Sequence, residues 1–275
     1  MTSISSPVAM RIMRNLGRYK FLSISQLVQL RASDEKTVRT RLADLLTAKM
    51  IDRQEFRLGP SVGRLPNIHW LTSKGAGFLQ DMEGEPVSGT RSREVTAPHS
   101  WHRMLMVDTI MAADRWADAS GQSPLAFSTY MQRQGRTSPT SLKLGDKTAE
   151  ADGIFRLTDT AGHQRVYVVE VYCSNYSEGR STFSVTQLEH YILAGGQAFD
   201  DQLGLPENGK AARILVVCDT SELRDRLLRT LPKRDGMPPL DRGTWQRLHF
   251  KAADELENFG EGWHRIGGPQ LNLPA

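Results

Sequence analysis

The 275-residue sequence contains only two cysteines, and it has no apolar run of about 18 residues of the kind that would predict a transmembrane helix. Residues 1–17 also lack the apolar segment of a secretory signal peptide. Cys173 and Cys218 each lie in an apolar, strand-like stretch, which predicts reduced core thiols rather than a disulfide or a metal pair. We therefore expect a soluble, cytoplasmic protein of one or two globular domains.

Two common kinds of functional site are also missing from the sequence. No Cys/His spacing favours a zinc site, and no Gly-rich phosphate loop follows a predicted strand. Charge is distributed unevenly, because residues 1–83 carry 13 Lys and Arg against 7 Asp and Glu, whereas the remaining residues carry 22 against 24. A basic excess confined to the first third is a weak indication of nucleic-acid binding.

Residues 1–83 have the pattern of a winged helix-turn-helix. Apolar residues at helical spacing predict a helix from Pro7 to Leu16 that ends at Gly17. Ser23 is the expected N-cap of a short second helix, and Ser33 is expected to open a third. The stretches IDRQEFRL and IHWLTS predict two strands joined by the Gly/Pro-rich loop GPSVGRLPN, and SKGAGFLQDM predicts a closing helix.

The third predicted helix has a polar face opposite Val38, Leu42 and Leu45. The stretches FLSISQLVQL, KTVRTRLADLLTAKMI and HWLTSKG resemble the second helix, recognition helix and post-wing strand of winged-helix proteins. That resemblance implies a helix in the major groove of double-stranded DNA. A winged helix used only for protein contacts is the alternative, and the basic excess argues against it. The candidate DNA-contacting residues are Lys36, Thr37, Arg39, Thr40, Arg41 and, in the loop, Arg64.

Residues 84–100 are rich in Gly, Ser, Pro and Thr, which predicts a linker. Residues 101–275 predict a second domain with the order helix, strand, strand, strand, helix, strand, helix, strand. A helix between two buried-type strands predicts a crossover connection and a mixed sheet covered by helices. The fold class is therefore α+β, with domains at 1–83 and 101–275.

Within the second domain, the strand RVYVVEVYC places Glu170 among apolar residues, where an unpaired carboxylate would be costly. Alternation predicts that Glu170 and Tyr172 share one face. Asp152, at the start of the preceding predicted strand, would approach Glu170 if the two strands form a hairpin. Two carboxylates at such a short distance would repel each other unless a cation lies between them. Mg²⁺ is typically held by one or two carboxylates.

This arrangement resembles the restriction-endonuclease-like nuclease core, which has an acid on one hairpin strand and an acid-x-Lys pattern on its neighbour. Ala151-Asp152 and Glu170 to Tyr172 stand at those places, and the lysine position holds Tyr172. Gln187 and Tyr191 form a Q-x-x-x-Y pattern like that of the RecB-type branch, and Asp108 is the best candidate for a further acid. The resemblance implies catalytic roles for these residues and binding of Mg²⁺ or Mn²⁺ by Asp152 and Glu170.

The whole chain, from about residue 8 to residue 250, resembles the replication-relaxation family of plasmids and integrative elements. The resemblance implies DNA processing at an origin of transfer or replication, with other mobilization or replication proteins as partners. Two interpretations stay open. The first is a metal-dependent nicking enzyme, and the second is a non-catalytic accessory protein or regulator with a degenerate nuclease domain. The missing lysine favours the second interpretation, and the costly acid within an apolar strand favours the first.

Overall fold

A computed structural model describes residues 3–56, 65–90, 97–122, 125–133, 137–158, 162–174, 187–194, 196–205, 211–240 and 243–274. The chain divides into two compact units, Met1–Val107 and Asp108–Ala275. The division therefore falls later than the predicted boundary at residues 84–100. Within the described residues, no helix combines the length and the apolar character that crossing a membrane requires.

The first unit has the element order expected from the sequence for a winged helix. Three helices precede a two-stranded antiparallel hairpin, in which Ile51 pairs with Leu71, and a further helix follows it. The elements are α1 (Pro7–Tyr19), α2 (Ile24–Gln29), α3 (Glu35–Thr47), β1 (Ile51–Gln54), β2 (Ile68–Leu71) and α4 (Ser73–Glu83). Their apolar faces meet in a core that includes Leu16, Leu27, Leu42 and Leu79.

Helix-capping residues set where the first helices begin and end. Ser23 caps α2 as predicted, in a capping box with Gln26. The N-cap of α3 is Asp34 rather than Ser33, because the Asp34 carboxylate accepts a 3.0 Å hydrogen bond from the Thr37 backbone N–H. Gly17 does not end α1, which continues to Tyr19. A Cβ atom at position 17 would lie 3.3 Å from Val87, so this glycine permits close packing instead.

Part of the predicted linker packs against the first unit. The Lys20 ammonium group donates hydrogen bonds to the Ser88 hydroxyl and carbonyl oxygens at 2.7 and 3.1 Å. The backbone N–H of Thr90 donates to the Leu71 carbonyl oxygen at 2.9 Å. Residues 87–90 are therefore part of a folded surface. Helix α5 (Ala97–Ala119) begins four residues before the predicted position.

The second unit contains a seven-stranded mixed sheet. Its strands are β3 (Ala126–Thr129), β6 (Gly153–Thr158), β7 (Gln164–Tyr172), β8 (Arg213–Cys218), β9 (Leu248–Ala252), β10 (Trp263–Arg265) and β11 (Gly268–Leu271). Their order in the sheet is β11-β10-β9-β8-β7-β6-β3. β7 pairs antiparallel with β6 and parallel with β8, and β8 pairs parallel with β9. A separate hairpin comprises β4 (Ser141–Leu144) and β5 (Lys147–Glu150). The helices are α6 (described over residues 187–193), α7 (Gly196–Gln202) and α8 (Ser221–Thr230).

The predicted strand with Asp152 near its start is not formed as predicted, because β5 ends at Glu150 and β6 begins only at Gly153. The intervening bend carries Asp152. The pairs β6–β7, β7–β8 and β8–β9 account for the mixed sheet that the sequence predicts, whereas α7, β10 and β11 were not predicted. The middle strand is β8, and β7 lies beside it.

Side-chain alternation along β7 divides the core between the two faces of the sheet, as predicted. On one face, Val168 and Tyr172 join an apolar cluster that includes Tyr191 of α6 and Phe199 of α7. On the other face, Tyr167 stacks on Phe155 with ring centroids 4.8 Å apart. Glu170 belongs by alternation to the face that α6 and α7 cover.

Candidate carboxylate site and candidate nucleic-acid interface

The pairing of β6 with β7 brings Asp152 and Glu170 together. Gly153 of β6 pairs with Val169 of β7 in the antiparallel register. Asp152 directly precedes Gly153, and Glu170 directly follows Val169. The Asp152 carboxylate Oδ2 accepts a 2.8 Å hydrogen bond from the backbone N–H of Val171. The hairpin expected from the sequence therefore places the two acids at neighbouring positions.

The two carboxyl groups lie in different surroundings. Asp152 is half-buried, whereas Glu170 is only 4% exposed. The hydroxyl of Tyr191 donates a 2.6 Å hydrogen bond to Glu170 Oε1. Tyr191 is itself buried, and its ring lies 5.4 Å from the ring of Phe199. The acid within the apolar strand is thus bonded to the tyrosine of the Q-x-x-x-Y pattern.

Burial raises the pKa of Glu170 well above its ordinary value of 4.5, and the nearby Asp152 carboxylate raises it further. The hydrogen bond from Tyr191 acts in the opposite direction. The protein alone therefore favours the neutral form of Glu170. An ionised Glu170 would be favoured by a cation beside the pair, because opposite charge stabilises a carboxylate.

Tyr172, which stands at the lysine position of the nuclease pattern, is 5% exposed. Burial is the main reason that its pKa is raised well above 10, and the Glu170 and Asp152 carboxyl groups raise it further. The phenol is therefore held in its neutral form, in which it can donate a hydrogen bond but does not carry the positive charge of a lysine.

Gln187 lies one helical turn before Tyr191 on α6, which places the two residues on one face of the helix. Its amide oxygen Oε1 is buried and has no hydrogen-bond partner in the described part of the chain. A buried amide oxygen without a donor costs free energy unless another group satisfies it. The residue predicted from the Q-x-x-x-Y pattern therefore presents an oxygen that is available for a ligand.

Three cationic residues lie near the pair in sequence. Lys143 and Lys147 lie on the separate β4–β5 hairpin and are exposed. Arg156 lies four residues beyond Asp152, roughly 13 Å along an extended strand. Its guanidinium group donates a 2.6 Å hydrogen bond to the Leu203 carbonyl oxygen.

Asp108 lies on α5 and is half-buried. Asp152, and not Asp108, is among the causes of the raised pKa of Glu170. A role for Asp108 as a further acid therefore stays a prediction. Within the described residues, no group of three or more His, Cys, Asp or Glu side chains is placed to hold a metal ion. Any metal site here would rest on two carboxyl groups and other oxygen donors.

In the first unit, α3 presents the side chains predicted to contact DNA. Lys36, Arg39 and Thr40 are exposed. The Thr37 hydroxyl donates to the Asp34 carboxylate at 2.7 Å and so supports the N-cap, whereas the Thr40 hydroxyl donates to the Lys36 carbonyl oxygen at 3.0 Å. Arg64 lies outside the described residues.

Both arginines of α3 form ion pairs with acids of the same helix. Arg39 pairs with Glu35 at 2.6 Å, and Arg41 pairs with Asp44 at 2.8 Å. Exposed pairs of this kind contribute only about 0.2–1 kcal/mol, so an incoming phosphate can replace the acid at small cost. These intrahelical acids were not considered in the sequence prediction, although the spacings i,i+4 and i,i+3 make them visible in the sequence.

The geometry thus defines an α+β protein with a polar helix in its first unit and a carboxyl pair in its second. The chain belongs to the replication-relaxation family, whose profile matches residues 13–178, more than half of its length. Family membership was predicted from the sequence and is confirmed. No curated protein matches the chain.

Among solved structures, the chain is similar to Bacillus subtilis PadR in a crystal structure with operator DNA. The sequence identity is 14%, the match covers 46% of this chain and 82% of that chain, and the TM-score is 0.22. A TM-score this low does not establish a common fold.

Proposed function

We propose that the chain is a DNA-binding protein of a plasmid or other mobile element, and that its second unit nicks DNA in a reaction dependent on Mg²⁺ or Mn²⁺. The observation that carries the enzymatic part is the proximity of Asp152, in the bend before β6, to Glu170 on β7, with Tyr191 bonded to Glu170. The element order resembles that of a restriction-endonuclease-like core. Membership of a family named for replication and relaxation agrees with a role in DNA processing.

The residues at this position suit a divalent cation with a preference for oxygen. Asp152 and Glu170 supply two carboxyl groups, and Gln187 offers a buried amide oxygen that lacks a partner within the described residues. Mg²⁺ is usually held by one or two protein carboxylates, with water and substrate phosphate completing its coordination. When bound, such an ion would polarise the scissile phosphate and lower the pKa of water.

The protein's own groups prepare this site in three ways. The Val171 backbone N–H holds the Asp152 carboxylate in place. The Tyr191 hydroxyl lowers the pKa of Glu170 against the effect of burial and so favours the ionised form that a cation requires. Tyr172, held as a neutral phenol, can donate a hydrogen bond to phosphate or water. It contributes orientation and not charge.

The first unit would bring the second to its DNA. Lys36 and Arg39 are exposed on α3, at the position where a recognition helix would meet the major groove. The basic excess of residues 1–83 supports attraction to the phosphate backbone. Contacts with other mobilization or replication proteins, which the family resemblance implies, remain a prediction.

A non-catalytic accessory protein or regulator is the second candidate function. It is favoured by the burial of Glu170 and Tyr172 and by the lack of a lysine at position 172. In that case the carboxyl pair has no catalytic role, and the hydrogen bond from Tyr191 to Glu170 is structural. Conversion of supercoiled plasmid to open circles in Mn²⁺ separates the two functions, since only the enzyme loses this activity on Glu170→Gln.

A further inference from the structure

A cavity of about 550 Å³ lies at the end of the sheet where β8 and β9 begin, and three arginines line it. Arg165 lies near the start of β7, Arg213 is the first residue of β8, and Arg247 directly precedes β9. Glu170 lies five positions after Arg165 on β7, roughly 16 Å along the extended chain. The cavity is therefore separate from the carboxyl pair.

One of the three arginines is already neutralised. The guanidinium group of Arg247 forms two hydrogen bonds to the Asp200 carboxylate, at 2.7 and 2.9 Å. The same carboxylate accepts a 3.0 Å hydrogen bond from the backbone N–H of Ala212, which directly precedes Arg213. This bidentate pair forms a fixed wall of the cavity and compensates the charge of Arg247.

Arg213 has surroundings that favour an anion. Its Nη1 atom is buried and has no hydrogen-bond partner within the described residues. Burial lowers the pKa of Arg213, the guanidinium groups of Arg165 and Arg265 lower it further, and the Tyr167 phenol acts in the opposite direction. No carboxylate is among these causes. Because arginine does not lose its proton in proteins, an anion is the means of relieving this repulsion.

We propose that this cavity binds a phosphate group, held by the guanidinium groups of Arg213 and Arg165. The planar fork of N–H donors matches the oxygens of phosphate and forms charge-assisted hydrogen bonds with them. Thr244 and Gln246 also line the cavity. Gly243 leaves open space beside them, since a Cβ atom there would meet no atom within 4 Å.

Calorimetric titration of the full chain with inorganic phosphate, at constant ionic strength and without divalent metal, tests the site directly. Arg213→Gln should weaken phosphate binding about tenfold, because one charge-assisted donor group is lost. Arg229→Gln is the matched control, since Arg229 is exposed on α8 of the same unit, and it should leave the affinity unchanged. Equal affinity in wild type, Arg213→Gln and Arg229→Gln, or no binding by wild type, would overturn the proposal.

Two further measurements complete the test. If Arg213→Gln does not fold, Arg165→Gln should show the same selective loss, and its failure to do so contradicts the proposal.

A 12-nucleotide single strand of thymidines then identifies the source of the phosphate. A DNA backbone in the cavity predicts that Arg213→Gln weakens oligonucleotide binding and that inorganic phosphate competes with it. A site for free phosphate predicts that the variant loses phosphate affinity alone. Neither titration needs Asp152, Glu170 or a metal, so this proposal can fail independently of the proposed function.

Discussion

Tyr191 donates its hydroxyl hydrogen to Glu170 across 2.6 Å, and this bond connects α6 to β7. The acid in the apolar strand is therefore neither exposed nor without a partner. Burial and the neighbouring Asp152 favour its neutral form, and Tyr191 partly offsets them. Glu170 thus resists ionisation in the protein alone and is suited to gain charge when a cation arrives.

The hydrogen bond itself should be measurable as stability. Tyr191→Phe removes the donor and leaves Glu170 buried, which should lower the free energy of unfolding by about 1–2 kcal/mol without metal. Urea denaturation at neutral pH measures the loss. In a Glu170→Met background the hydroxyl has no carboxyl partner, so the same change should cost close to nothing. An equal cost in both backgrounds would show that the hydroxyl acts elsewhere.

The raised pKa of Glu170 predicts an unusual dependence of stability on pH. Above about pH 4.5 the unfolded chain releases the proton of Glu170 while the folded chain retains it, so the native state binds more protons and stability falls as pH rises. For one such proton, the free energy of unfolding falls by at most about 1.4 kcal/mol per pH unit. Glu170→Gln should remove this fall when both proteins are compared with a chelator present. Parallel stability curves would contradict a raised pKa.

A metal at the pair should stabilise the fold through both carboxyl groups. At a Mn²⁺ concentration about a hundred times the dissociation constant, the free energy of unfolding of wild type should rise by roughly 2.7 kcal/mol. That of Asp152→Asn should not change. Without metal, Asp152→Asn should be neutral or slightly stabilising, because asparagine can still accept from Val171 while the repulsion is removed. The stabilisation should grow with pH, since ligands bind metal in their deprotonated form.

Asp146→Asn is the matched control for that experiment, because Asp146 is exposed in the turn between β4 and β5. It should respond to Mn²⁺ as wild type does. Equal shifts in melting temperature for wild type, Asp146→Asn and Asp152→Asn would reject the site.

Duplex binding should be electrostatic and should depend on α3. Glu35→Gln removes the acid that pairs with Arg39 and should strengthen binding of the full chain, whereas Arg41→Ala should weaken binding to all sequences alike. Thr40→Ala should change sequence preference. Fluorescence titrations over a range of salt concentrations measure affinity and its salt dependence, with Arg229→Gln as the control. Affinity that does not vary with salt would exclude this mode of binding.

Local patterns in the sequence were sufficient for much of the fold. The N-cap at Ser23 and the alternation along β7 depend on neighbouring residues, and both were predicted correctly. The break at Asp152 was missed because an apolar and polar alternation continues through the bend. Gly17 was misread because its role depends on Val87, which only the folded chain brings near.

The candidate site was predictable to a similar extent. Acids on consecutive strands implied that Asp152 and Glu170 would meet, since a hairpin fixes which residues are neighbours. The bond from Tyr191 to Glu170 depends on how α6 packs on the sheet, and sequence spacing does not supply that information. The arginines of the cavity were not predicted, because Arg165 and Arg213 become neighbours only through the parallel pairing of β7 with β8.

Metal-dependent nicking of supercoiled DNA tests the central claim most directly. A plasmid carrying the DNA that flanks the protein's own coding sequence is incubated in Mn²⁺ with wild type, Glu170→Gln and Tyr172→Phe. We expect wild type to produce open circles, Tyr172→Phe to lose only a modest factor, and Glu170→Gln to lose nicking while it retains duplex binding. Absence of metal-dependent open circles with wild type, or nicking that survives Glu170→Gln, would contradict the assignment of an active nuclease site to this carboxyl pair.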